Sequence, residues 1–202
     1  MKSKTLAVLL LLVVAIAVVV FGTILWGVGT YNALVSMDEG VKSAWGQVEN
    51  QYQRRYDLVP NLVETVRGYA SHEKEVFEEV TKARASVGQL KVSPEILKDP
   101  AAFQRFQQAQ DGLSAALTRL LAVAENYPNL KANENFLTLQ AQLEGTENRI
   151  AVERRRFNEQ VQRYNTTLRR FPASIIASMT GFTARPYFQA QAGAEQAPRV
   201  RF

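Results

Sequence analysis

The chain has 202 residues, with Lys+Arg 24 against Asp+Glu 19 and a formal net charge of +5. Apart from Arg154-Arg155-Arg156 the basic excess is spread out, without the concentrated face of a nucleic-acid binder. The absence of cysteine excludes disulfides, thiolate catalysis and a lipoprotein cleavage site, and leaves the compartment open.

Residues 5–37 carry no charged side chain, and from Leu6 to Trp26 they are almost wholly Leu, Val, Ala and Ile. As a helix, residues 6–26 would be roughly 30 Å long, the thickness of a bilayer's hydrocarbon core. A helix satisfies its own backbone polar groups, so it can sit in lipid. Lys2 and Lys4 precede the run, while Trp26 and Tyr31 stand at its far end, where amphipathic rings favour the interface. A cleaved signal peptide is the rival reading, but its apolar region is only about 7–15 residues. A retained anchor over residues 1–30 is therefore expected, followed by a body over 31–172 and a tail over 173–202. Gly22, Gly27 and Gly29 lack the G-x-x-x-G spacing of packed membrane helices. Lys2, Lys4 and the amino terminus outweigh Lys42, the first positive charge after the span, which follows Asp38 and Glu39. The positive-inside rule then places the N-terminus in the cytoplasm and the body outside it, external or periplasmic.

From Tyr31 to about Leu90 the apolar residues Leu34, Val41, Trp45, Val48, Tyr52, Val59, Leu62, Val66, Tyr69, Val76, Val80 and Ala83 recur at steps that alternate three and four with few exceptions. This is a helical seam. Pro60 interrupts it, and Asp57 three residues earlier is a suitable cap, so a corner is expected at Tyr56–Pro60 in preference to a kinked continuous helix. The seam's unchanged register favours the alternative. Residues 91–100 (KVSPEILKDP) form a break in which Ser93-Pro94 and Asp99-Pro100 each read as a cap with a first-turn proline. A helix from about Pro100 to Asn126 follows, with the stripe Phe103, Phe106, Leu113, Leu117, Leu120, Ala124 and one polar intruder, Gln110. After the turn Tyr127-Pro128-Asn129, a last helix runs from about Ala132 to Arg170. Its seam is Phe136, Leu139, Leu143, Glu147, Ile150, Arg154, Phe157, Val161, Tyr164, Leu168 and Phe171. Beyond Pro172 the chain reads as an extended tail whose Tyr187, Phe188, Val200 and Phe202 dock on a surface. The fold class is all-α: a transmembrane helix, an antiparallel up-and-down four-helix bundle with long helices, and an extended C-terminal tail.

Catalytic constellations are poorly supplied. His72-Glu73 lacks the second histidine of a zinc-protease helix, since position 76 is valine and His72 is the chain's single histidine. A di-iron bundle site needs two Glu-x-x-His pairs and fails on the same ground. Glu73, Glu75, Glu78 and Glu79 read as a solvated face. No G-x-S-x-G elbow or glycine-rich phosphate loop occurs. Hence neither a cofactor, a metal, a small-molecule substrate nor an enzymatic activity is expected.

The distinctive side chains are polar ones on or beside the seams: Glu49, Arg54, Arg55, Asp57 and Asn61 early, Glu147, Asn148 and Arg154 late. Charges on a buried seam need partners, so Glu147 is expected to pair with Arg54 or Arg55, and Arg154 with Asp57 or Glu49. Such pairs either fix helix register or line a self-assembly face. Trp45, Tyr52 and Tyr69 read as core.

The segments YNALVSMDEGVKSAWGQVENQYQRRYDLVPNLVETVRGYASHEKEV and YPNLKANENFLTLQAQLEGTENRIAVERRRFNEQVQRYN, with PYF and PRVRF in the tail, resemble the LemA family of bacterial membrane proteins. The resemblance spans essentially the whole chain. It implies a single transmembrane helix, an antiparallel helical bundle and no established enzymatic activity. It further implies membrane-associated roles, including organelle membranes in magnetic bacteria, and a neighbourhood of membrane zinc peptidases or TPM-domain proteins as candidate partners. Three functions follow as expectations. The first is a non-enzymatic scaffold, a homo-oligomer or a holder of partners at the bilayer. The second is a regulatory adaptor for a membrane peptidase or TPM-domain protein, acting through the PRVRF tail. The third is membrane remodelling through a basic face.

Overall fold

The computed structural model of the chain describes residues 2–90 and 93–189. Among the described residues the protein is all-helical, without a strand. Helix α1 runs over Lys2–Arg67, α2 over Lys74–Gly88, α3 over Pro100–Ala124, α4 over Pro128–Lys131, α5 over Glu134–Arg169 and α6 over Ala173–Thr180. A short 3₁₀ helix, Pro94–Lys98, precedes α3.

The expected corner at Tyr56–Pro60 is absent: Pro60 lies inside α1. A proline in a helix interior costs about 3 kcal/mol. Against that, Val59, Leu62, Val63 and Val66 around it are all buried. Each such side chain contributes roughly 1.5–3 kcal/mol on burial, so the unbroken seam outweighs the lost hydrogen bond. The chain turns at Gly68–Glu73 instead. There Gly68 and Ala70 donate to the Glu64 and Val66 carbonyls at 3.2 and 2.9 Å, closing the helix end.

Of the two expected caps, Asp99 fulfils its role. Its Oδ1 accepts from the Ala101 and Ala102 amides at 2.9 and 3.1 Å, starting α3. Ser93 makes no capping bond with its side chain; it is hydrogen-bonded to Glu95, which holds that carboxyl below its usual range. Tyr127 and Glu73, read as a turn residue and a solvated acid, are joined at 3.0 Å. That bond leads the causes that raise the Tyr127 phenol.

The chain divides into two compact units, residues 1–40 with 162–184 and residues 41–161 with 185–202. In the second unit α2 packs along α3. Its aliphatic core joins Val59, Leu62 and Val66 of α1, Phe77 and Val80 of α2, Leu113, Leu117 and Leu120 of α3, and Phe136 and Leu143 of α5. In the first unit the span residues of α1 are exposed along their described side chains. This is the one helix among the described residues long and apolar enough to cross a membrane.

The tail departs from expectation at its start. Residues 173–180 form α6, closed by Gly181 in the left-handed region at φ 76°. There glycine carries no Cβ penalty, and the Phe182 amide donates back to the Ala177 carbonyl at 3.1 Å. Residues 182–189 carry no regular secondary structure. Phe171, the last residue of the expected α5 seam, is 82% exposed, because α5 ends at Arg169 before it.

Candidate functional site

The second unit holds a polar cluster centred on Arg55, whose side chain is only 1% exposed. Position 55 falls on the buried side of α1 between Tyr52 and Val59, so the seam carries the guanidinium into the interior. Its Nη1 donates to Glu147 Oε1 of α5 at 2.8 Å and to Ser114 Oγ of α3. Its Nη2 donates to the Gln110 carbonyl at 3.1 Å and to Gln110 Oε1. The intruder on the α3 stripe is thus an acceptor for a buried cation. The guanidinium also lies over the Tyr52 ring at 5.1 Å. A cavity of about 100 Å³ adjoins the cluster, lined by Tyr52, Arg55, Asp111, Ser114, Glu147 and Arg154 among others. Arg55 Nε and the Tyr52 hydroxyl, both buried, have no hydrogen-bond partner among the described residues.

Of the residues singled out from the sequence, Arg55 and Glu147 meet. Arg154 does not reach Asp57 or Glu49; it sits 3.6 Å from Asp111 of α3. Asp57 is exposed and accepts from Gln53 on its own helix at 2.8 Å. Arg54, Asn61 and Asn148 are exposed as well, turned by one helical position away from the buried face. Glu49 lines a separate cavity of about 320 Å³ with Tyr52, Gln53, Tyr56, Gly88 and Phe106, and burial pushes its carboxyl up. The geometry serves cohesion better than catalysis. Burial of the Tyr52 phenol pushes it up to about 12, so it holds its proton near neutrality. His72 is exposed.

A second site receives the tail. Phe188, 6% exposed, stands among Trp45, Phe103 and Phe157, with ring centroids at 6.1, 4.8 and 5.4 Å. Two side-chain amides then treat the tail as a strand edge. Asn158 accepts from the Phe188 amide and donates to its carbonyl, both at 2.9 Å. Gln107 donates to the Gln189 carbonyl at 2.9 Å and accepts from its amide at 3.2 Å. Arg154 also donates to the Gln189 carbonyl at 3.0 Å, and its guanidinium lies 4.6 Å from the Phe188 ring. Tyr187 beside them is 38% exposed. Val200 and Phe202 lie outside the described residues.

Gln107, Asp111, Ser114, Asn158 and Gln189 were not singled out from the sequence. Their signal was faint: Gln107 and Gln110, one turn apart, are the two amides on the buried face of α3.

Comparison with known proteins agrees in kind. The profile of the LemA family matches residues 44–202. The magnetosome protein MamQ of Magnetospirillum gryphiswaldense is 30% identical over 174 residues, covering 78% of this chain and 64% of that protein. Magnetosome protein MamQ 2 of Paramagnetospirillum magneticum is 29% identical over 175 residues, 79% of this chain and 64% of its own length. Protein LemA of Metamycoplasma hominis is 23% identical over 166 residues, covering 81% and 70%. The match thus spans less than two thirds of the MamQ relatives' length. With an apolar N-terminal helix and a profile match reaching from Ala44 to Phe202, the chain is a membrane-associated protein that belongs to the LemA family.

Proposed function

We propose that the chain is a membrane-anchored, non-enzymatic helical scaffold that self-associates or holds partner proteins at a bacterial inner membrane. In this reading its body is an antiparallel up-and-down four-helix bundle on the periplasmic side. The observation that carries it is α1 itself. The helix that supplies the apolar span also supplies Trp45, Val48, Tyr52, Arg55, Val59 and Leu62, all buried, to the body. Anchor and core are therefore one element, which suits a protein whose task is to be held at a membrane. The buried polar side chains add support, because they spend their hydrogen bonds on one another and on the tail. The MamQ relatives, named as magnetosome proteins, suggest an organised membrane as the setting.

The test is the native mass of the full-length protein in mild detergent, joined to crosslinking in membranes. A defined multimer or a stoichiometric partner is expected. A protein that is monomeric and unpartnered in both sinks the proposal. Removing Pro198–Phe202 separates the adaptor alternative: an adaptor for a peptidase or TPM-domain protein loses its partner, while a scaffold keeps its assembly.

A further inference from the structure

The most exposed large apolar side chain outside the span is Phe171, at 82%, more open than any described large apolar side chain of the span. It does not stand alone. Met179 is 78% exposed and Ile175 48%. Ile175 and Met179 are spaced by four on α6, which places them along one side, and Phe171 stands just before the helix's cap at Pro172. The first unit thus ends in a short helix whose outward face is apolar.

Its neighbours within that unit show where this face lies along α1. Ile176 Cδ1 would be 3.7 Å from a Cβ on Gly27, so α6 runs close to the α1 backbone there. One turn later the Tyr31 and Phe182 rings meet at 5.8 Å. Gly27 immediately follows Trp26, the residue that marks the edge of the span. At 1.5 Å per residue, Gly27 to Tyr31 covers roughly the first 8 Å beyond that edge. The headgroup region on each side of a bilayer is about 5–7 Å thick, so α6 lies at its level.

Charge points the same way. Residues 162–184 contain Arg163, Arg169 and Arg170, all exposed, and no Asp or Glu. Guanidiniums beside an exposed apolar stripe are the pattern of a helix lying in an anionic interface, with snorkelling cations.

We propose that α6 with Phe171 is a second membrane contact. Phe171, Ile175 and Met179 insert at the boundary of headgroups and acyl chains beside the span, and Arg169 and Arg170 face lipid phosphates. The occupant is the bilayer rather than a protein because α6 lies against α1 at the edge of the exposed apolar span, within the same compact unit. This inference is independent of whether the protein self-associates.

The cysteine-free chain makes the test direct. Nitroxides are placed singly by Phe171→Cys, Met179→Cys and, as a control on α5, Leu137→Cys, itself 50% exposed and apolar. The full-length protein is reconstituted in vesicles of phosphatidylglycerol and phosphatidylethanolamine. Collision rates are then measured with oxygen and with a water-soluble nickel chelate. Positions 171 and 179 are expected to favour oxygen, at a depth of roughly 5–10 Å, while 137 stays water-like. Water-like accessibility at 171 and 179 overturns the proposal. Exclusion of both reagents with dipolar broadening between labels also overturns it, and assigns the face to a second copy. Exclusion without broadening assigns it to burial in the protein and overturns it equally.

Discussion

Glu147→Leu probes the central contact of the body. Arg55 is 1% exposed and Glu147 37%, so the substitution leaves a fully buried cation facing Gln110 and Ser114 alone. Breaking a buried ion pair costs about 3–5 kcal/mol. Water already reaches Glu147, which places the expected loss near the lower limit, at about 3 kcal/mol. For a protein of this size that lowers the melting temperature by roughly 6–12 °C. The decisive assay is a double-mutant cycle with Arg55→Met, followed by thermal and urea unfolding of the full-length protein in detergent. Removing both charges spares the orphaned cation, so the double variant should be less damaged than the two losses added, with a coupling of about 1–3 kcal/mol. Strict additivity, or a Glu147→Leu protein as stable as the parent, would show that the pair holds nothing together.

Three further outcomes follow from the same geometry. Tyr52→Phe should be neutral or stabilising at pH 8, because the buried hydroxyl it removes has no partner, a penalty of about 1–3 kcal/mol. The folded pKa, raised from 10.0 to about 12, means that the native state keeps a proton the unfolded state loses. Stability from this group is present below pH 10 and lost as pH rises towards 12. The fall amounts to about 3 kcal/mol, set by the cost of burying the phenolate, and urea titrations across that window should show it in the parent and not in the variant. Phe188→Ala removes the tail's aromatic anchor. Hydrogen-exchange protection at the Phe188 and Gln189 amides should then fall by at least about 100-fold, the factor for a loss of ~3 kcal/mol. Asp99→Ala deletes the cap of α3 and should cost about 1 kcal/mol, seen as a small drop in melting temperature.

Periodicity made the helices legible, and their breaks less so. The α1 seam kept its register through Pro60, and that register was the correct signal. Proline's local preference competed with four buried side chains and lost. The true turn had a weaker mark, Gly68 directly after the basic residue Arg67, where helices commonly end. Helix α6 was hidden because Ile175 and Met179 face outwards while Ala177 faces in, so its pattern mimics neither a core helix nor a linker. In the polar cluster, charge on a seam pointed correctly at Glu147 and Arg55. It could not tell Asp111 from Asp57 as the partner of Arg154, since that choice is set by which helices lie side by side. The amides that clamp the tail left almost no trace, because a buried Gln or Asn is recognisable only once the backbone it pairs with is known.

The polar residues singled out from the sequence divide in the structure, and the division constrains how assembly can work. Arg55 and Glu147 tie α1 to α3 and α5, while Arg154 ties α5 to α3 and to the tail. Each of these joins elements of one chain, so their substitution should act on folding before association. Arg54, Asp57, Asn61 and Asn148 remain at the surface, and isolated surface ion pairs contribute only about 0–1 kcal/mol. They are weak glue. Self-association of the kind proposed therefore has to draw on larger apolar area, and the exposed span offers it. The span lies in the first compact unit. Substituting the interior cluster should change the melting temperature while leaving the oligomer that survives unchanged. The membrane end, then, is where the partner surface is to be sought.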